Sequence, residues 1–276
     1  MSSRYTVKEI LSNITSTLKP YIPRASREAQ LLLMAFLDVD ELWLITNQHT
    51  HVEDTKKLFE WVERRKGNEP LEYIVGKVSF YSEEFYIAKG ALIPRPETEL
   101  LIDEVLKNVK TPHAKLTFAE VGVGSGIISV MLALKFPDAR FIATDISQDA
   151  LKIAKINLER FNLQDRIELK EGSLLDVVDE HIDYLVSNPP YIEDGLELES
   201  NLSYEPQNAL FGGKVGDEII KQLLDEVLKR KIKFFSCEMG YDQKGKITTY
   251  LEDKKYKRLD FYKDLSGFDR GFTLEL

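Results

Sequence analysis

Three clusters of residues in this chain have the types and spacing that chemistry needs. The first is Glu120-Val121-Gly122-Val123-Gly124-Ser125-Gly126, between a strand-like run, LTFAEV, and a helical one, IISVMLALKF. Glycines at alternate positions allow a tight turn and let a ligand lie against bare backbone. A dinucleotide site prefers G-x-G-x-x-G, with a pyrophosphate on the helix N-terminus. Here the spacing is G-x-G-x-G, with an acid two residues before the first glycine. That carboxylate would repel a pyrophosphate but suits a ligand with a cationic amino-acid tail. The second cluster is Asp145 and Ile146, ending the run RFIATD, with Gly172, Ser173 and Leu174 closing the run RIELKEG. A carboxylate at the end of that strand can accept both ribose hydroxyls, and an adenine would lie against the sheet edge beside it. Together these residues predict a nucleoside ligand with a charged tail. S-adenosyl-methionine is favoured, with S-adenosyl-homocysteine as its product.

The third cluster is Ser187-Asn188-Pro189-Pro190-Tyr191-Ile192, at the end of the run DYLVS. Asn188 offers an amide oxygen as acceptor. Pro189 has no N–H, so only its carbonyl can point into a site, and Pro190 restricts its geometry. Two acceptors held in this way can bind both hydrogens of a planar amide or amino group. Tyr191 supplies a flat face for stacking. Asn188, Pro189 and Tyr191 are therefore the candidate catalytic residues, Pro190 joins them as a candidate substrate contact, and Asn188 is counted with the nucleoside-site residues as well.

These clusters need a scaffold. Residues 1–72 read as helices only. Val7, Ile10, Leu11, Ile14 and Leu18 fall at helical spacing, and a second helix starts near Ser26. Asp40 and Asp54 are the expected caps of two further helices. No catalytic grouping occurs in this segment, so its expected role is to dock a partner or substrate. Residues 73–92 contain VSFYSEEFYIA, read as a β-hairpin linker turning at Ser-Glu-Glu. From 93 to 276 a loop with Pro94 and Pro96 leads into a helix, and strands then alternate with helices, the next of these from Ser125, around a long irregular loop after Tyr191. That alternation predicts an α/β domain with a doubly wound, mostly parallel sheet. Its ligand belongs beyond the carboxyl ends of the strands, where strand order reverses.

Composition narrows the function classes. The chain has 276 residues and a net charge of −9, which argues against gripping nucleic acid through a general basic surface. No run approaches a membrane span, and MSSRYTVKEI lacks the pattern of a signal peptide. One cysteine, Cys237, fits a reducing compartment, so a cytoplasmic protein is expected. His49, His51, His113 and His181 show no zinc-ligand spacing, and no metal is expected.

With its motifs in place, the sequence resembles the release-factor glutamine N5-methyltransferase family (HemK/PrmC), within the Asn-Pro-Pro-Tyr amino-methyltransferases. The resemblance covers nearly the whole chain: EPLEYIVG at 69–76, IPRPETE at 93–99, EVGVGSG at 120–126, SNPPYI at 187–192 and YEPQNALFGG at 204–213. CEMG with Gln243 and GFDR at 267–270 complete it. It implies a seven-stranded Rossmann-like methyltransferase sheet. It also implies a substrate, the glutamine of the Gly-Gly-Gln motif in peptide-chain release factors, with a role in translation termination. The loop carrying Arg95, and Glu205 in the segment after Tyr191, are implied to lie at the active site as substrate contacts. Glu120 stands where the family generally has aspartate, and Gln207 where a basic residue is common. A monomer is expected, with no nucleic acid as direct substrate. The rivals are an adenine N6-methyltransferase, which would use the same motif on an extruded base, and a catalytically silent adaptor. A nicotinamide dehydrogenase is disfavoured by the glycine spacing.

Overall fold

The computed structural model describes residues 5–110, 113–198, 200 and 202–276, so Met1–Arg4 of the segment read for a leader lie outside it. The chain divides into two compact units, one of Met1–Lys77 with Glu199–Tyr204, the other of Val78–Leu198 with Glu205–Leu276.

In the first unit, β1 (Tyr5–Thr6) pairs with β2 (His51–Val52), and the helices are α1 (Val7–Leu18), α2 (Ala25–Leu37), α3 (Glu41–Thr46), α4 (Lys56–Lys66) and α5 (Leu71–Val75). Thr6 and Glu9 form a reciprocal capping box on α1, which satisfies donors the first turn would otherwise orphan. The stripe Val7, Ile10, Ile14 and Leu18 is buried against Ala29, Leu32, Leu33, Leu58 and Trp61. Asp40 caps α3 through the Trp43 N–H at 2.7 Å. Asp54 does not cap α4: it has left-handed backbone, φ 51°, and Thr55 begins the helix without a side-chain cap. Tyr204 donates its hydroxyl to the Gly67 carbonyl at 2.7 Å within this unit.

The hairpin β3 (Lys77–Phe80) and β4 (Glu83–Tyr86) enters the second unit at Val78, and α6 (Thr98–Asn108) follows. The hairpin turns at Tyr81-Ser82, not at Ser-Glu-Glu. Both residues are left-handed, φ 53° and 66°, the conformation a two-residue hairpin turn requires. Tertiary bonds hold it there: Tyr81 donates its N–H to Glu99 and its hydroxyl to Asp103, each at 2.7 Å. Next come β5 (Thr117–Val121), α7 (Ile127–Lys135), β6 (Arg140–Asp145), α8 (Gln148–Arg160), β7 (Ile167–Glu171) and β8 (Tyr184–Ser187). Helix α7 starts two residues later than Ser125 because the glycine turn runs through Gly126. The long loop is not wholly irregular. Its β9 (Ile192–Glu193) and β10 (Phe211–Gly213) pair in parallel. The remaining elements are α9 (Glu218–Arg230), β11 (Phe234–Glu238), α10 (Lys244–Leu251), β12 (Arg258–Lys263) and β13 (Asp269–Glu275).

Seven strands form one sheet in the order β12-β13-β11-β8-β5-β6-β7. Six run in one direction, and β13, between β12 and β11, runs against them. Side chains alternate between two apolar layers. Phe118, Phe141 and Val186 face α6, α7 and α8, while Ala119, Ile142, Leu185 and Phe235 face α9 and α10. Helix α7 is buried from Ile127 to Ala133, as its unbroken apolar sequence requires. Strand order reverses between β5 and β8, so the switch point lies at their carboxyl ends.

Candidate active site

Strand register dictates what meets at that switch point. Val121, Ser187 and Cys237 stand side by side on β5, β8 and β11. One residue further along each strand therefore brings Gly122, Asn188 and Glu238 to a common edge. Ser187 ties this edge together by donating its hydroxyl to the Val121 carbonyl at 2.7 Å. Above it lies a cavity of about 300 Å³, within the range of small-ligand sites.

Of the predicted nucleoside-site residues, Glu120, the turn 122–125, Asp145, Ile146, 172–174 and Asn188 all line this cavity. Gly126 does not. All three glycines of the motif have left-handed backbone, but they serve different ends. A Cβ on Gly124 would meet nothing within 4 Å, so its bareness keeps the cavity wall open. A Cβ on Gly126 would stand 3.2 Å from the Ala154 Cβ, so its bareness lets α8 approach the turn. Leu174 is left-handed as well, φ 48°, with its carbonyl taking the Thr144 hydroxyl at 2.7 Å.

Glu120 is 1% exposed and takes hydrogen bonds from the Ser129 N–H, at 2.9 Å, and the Ser129 hydroxyl. Burial pushes its carboxyl up to about 8, against the pull of those donors. Asp145 accepts the Gly124 N–H on one oxygen and the Ser147 N–H on the other, both at 2.9 Å. Each oxygen keeps a lone pair for a further donor, as a ribose diol demands. Burial raises this carboxyl too, with the same backbone donors opposing it. An acid on the cavity floor, a second with two free lone pairs and an open glycine wall fit an adenosyl amino acid.

In the third cluster, Asn188 and Pro190 line the cavity, whereas Pro189 is buried beneath it. Tyr191 is half-buried beside it, and its hydroxyl donates to Glu238 at 3.3 Å. Its backbone is braced by Gln243, which donates to the carbonyls of Tyr191, at 3.1 Å, and Gly216, at 2.9 Å. The Asn188 Nδ2 donates to the Thr98 hydroxyl at 3.1 Å, and Thr98 donates to Glu238 at 2.7 Å. Arg95 and Glu205 are not brought to the cavity wall. They pair with each other at 2.5 Å, and Glu205 also takes the Ile93 N–H at 2.9 Å. That pair clamps the proline loop onto the segment after Tyr191.

Pro206, weighed with Glu205, does line the cavity, but sequence reasoning missed several others: Leu92 and Pro94 on the proline loop, Thr98 at the start of α6, and Asn208 and Phe211 beyond Glu205. Thr98 and Phe211 lie inside the family segments IPRPETE and YEPQNALFGG, which is where a signal for them existed. Among the described residues no group of three or more His, Cys, Asp or Glu side chains has a metal-binding arrangement.

Cavity, switch point and mixed strand order are those of the Rossmann-like methyltransferase class. Solved structures of that class share the fold. The hMettl16 catalytic domain in complex with the MAT2A 3′UTR hairpin 6 matches with TM-score 0.58 at 15% identity, over 82% of this chain and 84% of that one. The human methyltransferase 10 domain containing protein matches with TM-score 0.55 at 18% identity, over 71% of this chain and 89% of that one. Family models add resolution: the PrmC N-terminal domain matches residues 9–76 and the methyltransferase small domain residues 96–205. The release factor glutamine methyltransferase of Clostridium botulinum is 39% identical, over 88% of this chain and 89% of its own. Those of Clostridium acetobutylicum and Aquifex aeolicus are 33% and 32% identical, each over 96% of this chain and over 96% and 93% of their own. The chain belongs to the release factor glutamine methyltransferase family and is a methyltransferase enzyme.

Proposed function

We propose that this enzyme transfers a methyl group from S-adenosyl-methionine to the side-chain amide nitrogen of the Gly-Gly-Gln glutamine in peptide-chain release factors. The observation that carries the reading is the juxtaposition, across β5 and β8, of the acid and glycine wall with the half-exposed Asn188. The bound cofactor supplies an electrophilic methyl on a sulfonium. Glu120 would face its cationic tail, Asp145 would hold its ribose, and residues 172–174 would border its adenine.

A primary amide nitrogen is a poor nucleophile because its lone pair is delocalised into the carbonyl. The Asn188 side-chain oxygen and the Pro189 carbonyl would accept its two hydrogens and aim the nitrogen at the methyl. Positioning of this kind is worth about 7–11 kcal/mol of barrier. The same acceptors stabilise the positive charge that develops on nitrogen. Tyr191 contributes a face, not a base: its hydroxyl donates to Glu238, and burial beside that carboxylate raises its pKa further. Pro190 and the Arg95–Glu205 clamp shape the entrance. We assign docking of the factor to the N-terminal residues 1–72, and place the enzyme in the cytoplasm as a monomer without a nucleic-acid substrate. The net charge of −9 supports that last point.

The test is transfer of labelled methyl from S-adenosyl-methionine to purified release factor, with a Gly-Gly-Ala factor and duplex DNA as parallel acceptors. Label is expected in the intact factor alone. Label in the DNA, or equal label in the Gly-Gly-Ala factor, would overturn the reading.

A further inference from the structure

A primary amide has two ends of nearly the same shape and opposite hydrogen-bonding character, so packing cannot choose between them. If the oxygen of Asn188 faces the acceptor it takes an N–H. If its nitrogen does, donor meets donor. We infer that Thr98 and Glu238 are positioning residues that fix this choice, holding Asn188 with its oxygen toward the acceptor. The structural half of this inference stands on hydrogen-bond geometry, and its catalytic half rests on the glutamine reading above.

The polarity runs one way through the chain of bonds. Ionised Glu238 has no proton to give, so both its oxygens accept, one from Thr98 at 2.7 Å and one from Tyr191 at 3.3 Å. A hydroxyl has a single proton. With that proton given to Glu238, the Thr98 oxygen can only accept, and it takes Nδ2 of Asn188 at 3.1 Å. The Asn188 oxygen is left for a ligand in the cavity that Asn188 lines. Thr98 is 1% exposed and Glu238 2%, so neither partner is open to bulk solvent. A wrong polarity inside such a buried chain carries the desolvation cost of an unpaired group.

Three distant segments build the relay. Register places Glu238 beside Asn188, because Cys237 pairs with Ser187. Helix α6 begins at Thr98 and packs on β11. The groups facing Glu238 are Thr98 and Glu97 from the start of α6, Tyr191 from the loop after β8, Arg270 on β13, Tyr262 on β12 and Cys237 on β11 itself. Burial pushes Glu238 up to about 7, although Thr98, Tyr191 and Arg270 pull it down. A protonated Glu238 would donate to Thr98, release the hydroxyl proton toward Asn188 and favour the reversed amide. The relay is then set for transfer above that pH and unset below it.

The experiment compares the full-length wild type with Thr98→Val, Thr98→Ser and Glu238→Gln. It reads kcat on release factor at saturating cofactor and, separately, the Asn188 side-chain amide signals of nitrogen-15-labelled protein from about pH 6 to about pH 8. Loss of one hydrogen bond predicts a fall in kcat of about tenfold for Thr98→Val. Thr98→Ser should recover most of the rate. Glu238→Gln should lower kcat and abolish its rise with pH. In the wild type the Asn188 amide signals should titrate with the rate, and they should stop titrating in Glu238→Gln. Wild-type kcat in Thr98→Val, or Asn188 signals indifferent to pH in the wild type, would overturn the inference. If a variant fails to fold, the wild-type titration alone decides. If the wild type transfers nothing to the factor at any pH, the acceptor assignment falls, and the same titration still decides the relay.

Discussion

At the residue scale, the site works by placing charge where burial opposes it. Glu120 is the clearest case, a carboxyl raised to about 8 on the floor of the cavity, 1% exposed and hydrogen-bonded by Ser129. A cationic ligand tail favours the ionised form and must draw this pKa down. Below about pH 8 the free protein holds the proton and the complex releases it, so affinity for S-adenosyl-methionine should rise as pH approaches 8. Calorimetry at pH 7 in buffers of different ionisation enthalpy should report proton release on binding, and Glu120→Gln should abolish it. Uptake of a proton, or none in the wild type, would remove Glu120 from the tail site. The chemical character of Asn188 and Glu120 was readable from type and spacing alone. The relay behind Asn188 was not, because Thr98 and Glu238 are 140 positions apart and only the packing of α6 on β11 makes them neighbours.

At the scale of elements, the strand–turn–helix from β5 to α7 carries the most information per residue. Its three glycines look equivalent in sequence, yet contact separates them: Gly124 stands against open space and Gly126 against Ala154. Gly126→Ala should cost about 1–3 kcal/mol of stability, since the new methyl forces α8 away and occupies a left-handed backbone. Gly124→Ala should carry the backbone strain alone and weaken cofactor binding more than Gly126→Ala does. Urea unfolding and cofactor titration of both variants check this, and identical profiles would contradict the division of roles. Helices and strands of this unit follow from alternating apolar runs. The hairpin turn did not, because Tyr81 and Ser82 have no intrinsic preference for left-handed backbone. Glu99 and Asp103, on a helix further along the chain, hold Tyr81 there. Asp54 misled for a related reason: an acid before a helix suggests a cap, but its own backbone is turned away from the capping conformation.

At the scale of the whole molecule, a helical unit without a catalytic grouping accompanies a complete methyltransferase sheet, and family likeness extends over both. The cavity and its acids account for a nucleoside cofactor. They do not by themselves choose between an amide and an aromatic amine as acceptor, since both present two hydrogens to Asn188 and Pro189. The family supplies that choice, which makes the acceptor atom the central claim. The measurement that tests it most directly is a fragment mass spectrum of release factor incubated with the enzyme and S-adenosyl-methionine. One added methyl is expected, confined to the Gly-Gly-Gln glutamine and carried on its side-chain nitrogen, and none after Asn188→Ala. A methyl on any other residue, or an unmodified glutamine beside a fully bound cofactor, would contradict it.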